Sequence, residues 1–239
     1  MNHEQPQSRR HFLAAAAAGG AGLVALNLGR SASALAAGAS SQAQGQEEPE
    51  ITPAEDLMFE HGVIERLLLI YNAAAADLAA GRQMYLQSVA SAAQLVRKFA
   101  GDYHEKMEEQ YVFPRFEKAG KHAELVKVLR TQHDAGRDLT GRIIQLSGDP
   151  SHPKFSDLPG LMRSFTAMYF PHISRENSVL FRDLRRVVPP REYDEMGDRF
   201  EQIEQERLGH EGYEHALAQV GEIEKQVGIN DLAKFTPHA

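Results

Sequence analysis

The segments His104-x3-Glu108-x3-Val112-Phe113 and His172-x3-Glu176-x3-Leu180-Phe181 repeat one pattern within a chain of 239 residues. Residues four apart lie on one face of an α-helix, so each segment sets an imidazole and a carboxylate side by side. A strand would put the same two residues on one face only at a distance too great for them to share a ligand. The pattern therefore commits both segments to helices and suggests that each pair grips a cation.

The rest of the chain reads in the same period. Thr52-Pro53-Ala54-Glu55 combines an N-cap threonine, proline at the first helical position and a glutamate at the third, which is a capping box. The helix that follows is expected to reach about residue 80, with Leu57, His61, Ile64, Leu68 and Tyr71 on one stripe. A second helix, from about 83 to 111, carries Leu95, Phe99, His104, Met107, Glu108 and Tyr111 inward and is expected to stop at Phe113-Pro114. A third spans about 121–146 with Val126, Leu129, His133 and Ile143 aligned, and a fourth spans about 156–186 with Leu161, Phe165, Met168, His172, Glu176 and Val179. Pro171 is expected to kink the fourth. No alternating apolar strand or Asn-Gly hairpin interrupts this series. The fold class is all-α: an up-down-up-down four-helix bundle over residues 52–186, with a C-terminal helical extension over 187–239 packed on the bundle. The extension divides into segments at about 191–208 and 211–227.

A single histidine on an apolar stripe is usually a core residue with a satisfied ring. Here each of the four long helices carries one, at His61, His104, His133 and His172, and two helices add Glu108 and Glu176. Ionised carboxylates are costly to bury unless they are paired or bind metal. Helices two and four share the opening pattern, while helices one and three each contribute a lone histidine. Two helix hairpins facing each other across a pseudo-two-fold axis suit two metals bridged by carboxylates. The chain has no cysteine, so every ligand is nitrogen or oxygen, a donor set that also admits zinc or manganese. With 26 basic and 33 acidic side chains, and no basic run interleaved with aromatics, a nucleic-acid partner is excluded.

Taken together, Glu60-His61, His104-Glu105-Lys106-Met107-Glu108-Glu109 leading into Val112-Phe113-Pro114, Gln132-His133 and His172-x3-Glu176 resemble the hemerythrin-like, or HHE cation-binding, domains, over about residues 53–185. The resemblance implies a non-haem di-iron centre in which His61, His104, His133 and His172 each bind an iron and Glu108 and Glu176 bridge the two. Glu105 is a further ligand by similarity to iron-sensing members, and Glu65, one turn after His61, is a secondary candidate. Dioxygen or a related small ligand such as nitric oxide or peroxide is the implied partner. A ferroxidase- or peroxidase-like enzyme and an iron-storage protein are the alternatives. The oxygen carriers have a histidine where this chain has Arg137, and an aspartate where it has Glu176. Fewer histidines and more carboxylate favour ferric iron over reversible oxygen binding.

The N-terminus reads as an address. Ser8-Arg9-Arg10-His11-Phe12-Leu13 is a twin-arginine pattern, followed by an uncharged Ala/Gly/Leu run and by Ala34-Leu35-Ala36, which suits signal peptidase. Residues 1–36 are expected to be cleaved on export to the periplasm or beyond, and 37–51 to form a flexible tether. The run is short and weakly apolar for a membrane span, so no stable membrane insertion is expected after cleavage. Tyr71, Tyr103, Tyr111 and Tyr169 read as interface packing, and His122, His152, His210, His215 and His238 as solvated. The run from Glu201 to Glu206 reads as an exposed helix face.

Overall fold

Thr52 starts the fold as its capping box dictates: the Thr52 hydroxyl accepts from the Glu55 backbone N–H, and the Glu55 carboxylate accepts from the Thr52 N–H at 2.9 Å. The computed structural model describes residues 51–82 and 85–237. The expected leader, and the tether up to residue 50, lie outside them. From Thr52 onward the chain forms one compact unit.

Helix α1 spans Pro53–Ala79. Helix α2 runs continuously over 86–119, as α-helix interrupted by π-helical segments at Val96–His104 and Glu108–Val112. Helix α3 spans Ala123–Gly148. Helix α4 covers 158–187, with a π-helical segment at Glu176–Phe181. Helices α5, Pro190–Leu208, and α6, Gly212–Val227, complete the fold. Among the described residues there is no strand. Helix α1 packs on α2 and α4, and α3 packs on the same two, so sequential helices surround one core. Its centre is filled by Leu57, Leu67, Tyr71, Phe99, Phe113 and Phe165, all essentially inaccessible to solvent. No helix of the described residues is long and apolar enough to cross a membrane.

One expectation fails locally. Helix α2 does not stop at Phe113-Pro114 but continues to Ala119, where Gly120 at φ 63° ends it. The reason lies in the preceding π-helical segment. Its i→i+5 bonding ends at Val112, the α-helix restarts at Phe113, and Pro114 falls in that first turn, where a missing N–H costs little. Pro171 lies inside the α-helical part of α4, which runs as far as Arg175.

The C-terminal helices pack mainly against α1 and α2, burying Tyr193, Phe200, Ile203, Val220 and Ile223. Arg66 on α1 holds Glu224 on α6 through two hydrogen bonds, and Ser88 on α2 donates to Gln226. The Glu201–Glu206 run is not wholly exposed. Glu204 is buried and accepts the Tyr213 backbone N–H at 2.7 Å, so it caps the start of α6, where a free helical donor needs an acceptor.

Candidate metal centre

Burial sets the problem this site must solve. His61, His104, His133, His172, Glu108 and Glu176 converge from the four long helices and none is more than 3% exposed. His61 and His104 form one pair, with ring centroids 4.7 Å apart, and His133 and His172 form another at 5.0 Å. Each glutamate spans the two pairs. Glu108 lies 3.6 Å from His104 Nε2 and 3.3 Å from His133 Nε2, while Glu176 lies 3.4 Å from His61 Nε2 and 3.0 Å from His172 Nε2.

The other nitrogen of every ring is already engaged. His61 Nδ1 is 2.7 Å from Asn177 Oδ1, His104 Nδ1 is 2.7 Å from Glu60 Oε2, His133 Nδ1 is 3.1 Å from Glu109 Oε1, and His172 Nδ1 is 2.9 Å from Gln132 Oε1. All four partners are oxygens, so Nδ1 carries the proton and donates it. In the neutral ring, Nε2 then presents a lone pair to a carboxylate that also has only lone pairs. His104 Nε2, His133 Nε2 and all four oxygens of Glu108 and Glu176 lack a hydrogen-bond partner. Six buried polar atoms aimed at one another, without protons between them, call for cations. Within reach of one another stand Glu108, His133, His172 and Glu176 in one group and His61, His104 and Glu108 in a second, and Glu108 belongs to both.

The chain's repetition explains how this geometry arises. The residue before the odd-helix histidine (Glu60, Gln132) braces the histidine of the next helix (His104, His172). The residue after the even-helix glutamate (Glu109, Asn177) braces the odd-helix histidine (His133, His61). A π-helical segment begins at each glutamate, Glu108 and Glu176. In an α-helix, residues five apart diverge by about 140°. The wider turn instead lets Glu108 and Phe113, and Glu176 and Phe181, both face inward. Phe113 stacks on His133 and Phe181 on His61, with centroids 5.4 and 5.2 Å apart. The apolar pairs of the opening pattern are thus the walls that hold the opposite helix's imidazole.

Electrostatics follow from that packing. Burial alone would lower the His104 pKa, but Glu108 and Glu60 outweigh it and hold it up at about 9. His133 is opposed by burial in the same way and is raised to about 10 by Glu108 and Glu109. Burial pushes Glu176 up, yet His172 and His61 facing it hold it well below the ordinary carboxylate range. Positive charge is strongly favoured at this centre.

The hemerythrin HHE cation-binding domain family matches residues 52–184, more than half of the chain. The chain belongs to that family. Among its relatives are uncharacterized proteins of Mycobacterium bovis and Mycobacterium tuberculosis, 38% identical over 232 residues, covering 96% of this chain and 91% of theirs. No solved structure matches it. The family's cation-binding character and the buried His/Glu groups agree: this is a metal-binding domain.

Within this HHE domain the remaining candidates separate by their partners. Glu105 is buried and stands with Glu109 and His133 in a third group. Its Oε1 accepts from Tyr169 OH at 2.5 Å and its Oε2 from Arg137 Nη1 at 2.7 Å, so both oxygens are held. Burial raises its carboxyl above the ordinary range, against His133, Tyr169 and Arg137. Arg137, where a fifth histidine is expected in oxygen carriers, is clamped by Glu105, Glu109 and Asp134. Glu65 is exposed on the outer side of α1 and belongs to none of the three groups.

Sequence reasoning missed the bracing shell of Glu60, Gln132, Glu109 and Asn177. Its signal was present: each brace adjoins a metal-ligand candidate in sequence. Two of the four tyrosines do more than pack, since Tyr103 OH donates to Glu60 at 2.5 Å and Tyr169 OH to Glu105. Tyr111 instead meets Phe200 and Arg199, outside the centre. His122 is not simply solvated, because its Nε2 pairs with Asp183 at 2.9 Å.

Proposed function

We propose that this HHE domain holds two iron ions, one at His61 and His104 and the other at His133 and His172, with Glu108 and Glu176 bridging them, and that the centre binds or senses dioxygen, nitric oxide or peroxide. The observation that carries the reading is the crossed arrangement in which each carboxylate faces one histidine from each pair. A single cation among four imidazoles would leave one pair, and its share of each carboxylate, without a partner. Bound there, iron supplies an open coordination position for a small ligand and a change of oxidation state. The chain's own residues orient the imidazoles through Nδ1 and exclude bulk water through Phe113, Phe181 and Tyr169. Imidazole and carboxylate donors accept other divalent ions, so zinc and manganese are the competitors that metal analysis must separate from iron.

The test is metal content and absorption spectrum after anaerobic purification. The reading expects about two irons per chain and near-ultraviolet bands from an oxo- or carboxylate-bridged pair. A stoichiometry near one, or zinc alone with no ligand-dependent absorption, sinks it. A second reading, a ferroxidase- or peroxidase-like enzyme, draws support from Arg137, which adds no imidazole at the place where the oxygen carriers have one. Multiple turnovers of oxygen or peroxide with a reductant favour it over stoichiometric binding. Export by the twin-arginine route is part of the proposal. It predicts an envelope-fraction protein whose N-terminus starts near residue 37, and a cytoplasmic protein retaining Arg9 and Arg10 refutes it.

A further inference from the structure

The centre is buried, so a ligand needs a way in, and the two halves of the bundle differ where a way in would lie. Counting from each ligand histidine, Gly101, Gly136 and Thr140 correspond to Tyr169, Ile64 and Leu68. All six are buried, but three are small and three are bulky. The small set, with Val96, Glu105 and Arg137, lines a cleft of about 120 Å³ between α2 and α3. Its inner wall is Glu105, which stands within ligand distance of Glu109 and His133. Its floor is shaped by Gly136, where a Cβ would lie 2.0 Å from the Tyr169 hydroxyl. Its outer side is closed by Arg137, whose Cγ lies 3.7 Å from where a Gly101 Cβ would sit. A volume of this size admits a few water-sized groups and nothing larger. The charges that line it balance, Arg97 and Arg137 against Asp102 and Glu105, so size selects more than charge.

We propose that this cleft is the passage by which diatomic and triatomic ligands reach the His133/His172 side of the centre, with Gly101 and Thr140 keeping it open and Arg137, held by Glu105 and Glu109, closing its outer side. The proposal rests on the metal centre inferred above and names which molecules that centre admits. Larger ligands are excluded because α2 and α3 would have to separate to pass them. Arg137→Ala widens the passage, whereas Gly101→Leu or Thr140→Leu fills it, the latter with the residue type found at the matching position of the other half.

Metal-loaded protein is mixed with azide in a stopped-flow spectrometer. Gly101→Leu and Thr140→Leu are expected to slow azide association by about tenfold or more with metal content unchanged, and Arg137→Ala to speed it. Gly160→Leu, on an exposed turn of α4, serves as the control and keeps the wild-type rate. A second measurement needs no metal. The chain has no cysteine, so Thr140→Cys places a single thiol in the cleft. Methyl methanethiosulfonate should label it far faster than a bulky aromatic disulfide, and adding Gly101→Leu should suppress the labelling. Azide association unchanged in both blocking variants overturns the passage, as does a thiol that reacts without regard to reagent size or Gly101. Wild-type protein without metal refutes the functional reading instead, and the thiol result then judges the cleft alone.

Discussion

Removing the metal should make the stability of this protein depend on pH in a way that the loaded protein does not. In the metal-free chain the positive charge at the centre must come from protons. His104 is held at about 9, against an ordinary imidazole value near 6.5, because Glu108 and Glu60 outweigh burial. A group whose pKa is raised by folding stabilises the fold fully below its unfolded value and loses that contribution as pH rises through its folded value. For His104 alone the contribution is about 3 kcal/mol, present at pH 6.5 and gone above pH 9. His133, raised to about 10, extends the loss to higher pH but draws on the same Glu108, so the two do not add. For a domain of this size, 3 kcal/mol corresponds to a fall in Tm of about 6–12 °C. Thermal melting followed by circular dichroism at 222 nm, on chelator-treated and metal-loaded protein between pH 6.5 and 10, measures it. The loaded form should stay nearly flat, because its imidazoles are held neutral, with Nδ1 protonated and Nε2 turned to the metal. A flat metal-free curve would refute the reasoning. So would two curves falling in parallel, which would place the titrating groups outside the centre.

Other consequences are narrower. Glu60→Gln leaves one acceptor where two donors, Tyr103 OH and His104 Nδ1, now converge, and should weaken metal affinity by about 10–100-fold in a competition titration while the helices persist. Gly136→Ala is expected to destabilise by about 1–3 kcal/mol, although alanine is the better helix former, because its Cβ would strike Tyr169 and push the hydroxyl off Glu105. A stabilised variant with Tyr169 undisturbed would contradict that. Phe200→Ala removes a fully buried ring of α5 packed edge-on against Tyr111 and should cost about 3–5 kcal/mol in urea unfolding. The transition should remain single, since α5 and α6 share the core of α1 and α2.

The helices and the converging side chains were legible because their period is regular. A buried stripe at helical spacing names the inward residues, and His61, His104, His133 and His172 all lie on such stripes. The same rule misleads at Glu65. It stands four residues after His61, the spacing that joins His104 to Glu108, yet it faces solvent. On α1 the stripe continues through Ile64 and Leu68, whereas on α2 and α4 a π-helical segment starts at the glutamate and brings both it and the phenylalanine five residues on to the inside. No propensity of single residues announces that change of period. It also let α2 pass Pro114. The braces escaped for a different reason: a residue next to a buried ligand normally turns away from its own helix's inward face. Here it meets the neighbouring helix, and only the packing of four helices reveals which histidine it supports.

That packing also explains why the site tolerates unequal halves. Each histidine pair has one ring braced by a carboxylate and one by an amide: Glu60 and Asn177 on one side, Glu109 and Gln132 on the other. A carboxylate makes its imidazole the stronger donor and an amide leaves it weaker, so the two pairs present similar total donor strength although their sequences differ. The asymmetry is displaced one step outward. On the His133 side, Glu109 is also held by Arg137 and Lys106, and these hydrogen bonds, with that from His133, hold its carboxyl below the ordinary range despite partial burial. Part of its charge is thereby committed to the surface and less of it reaches His133. Glu60, on the other side, accepts from Tyr103 OH and His104 Nδ1. Replacing Arg137 by a neutral residue should therefore return Glu109 to His133 and tighten metal at that pair alone. Stepwise metal titration of Arg137→Gln reads this as a narrower separation between the two binding events, and an equal shift of both would show that the braces do not act pair by pair.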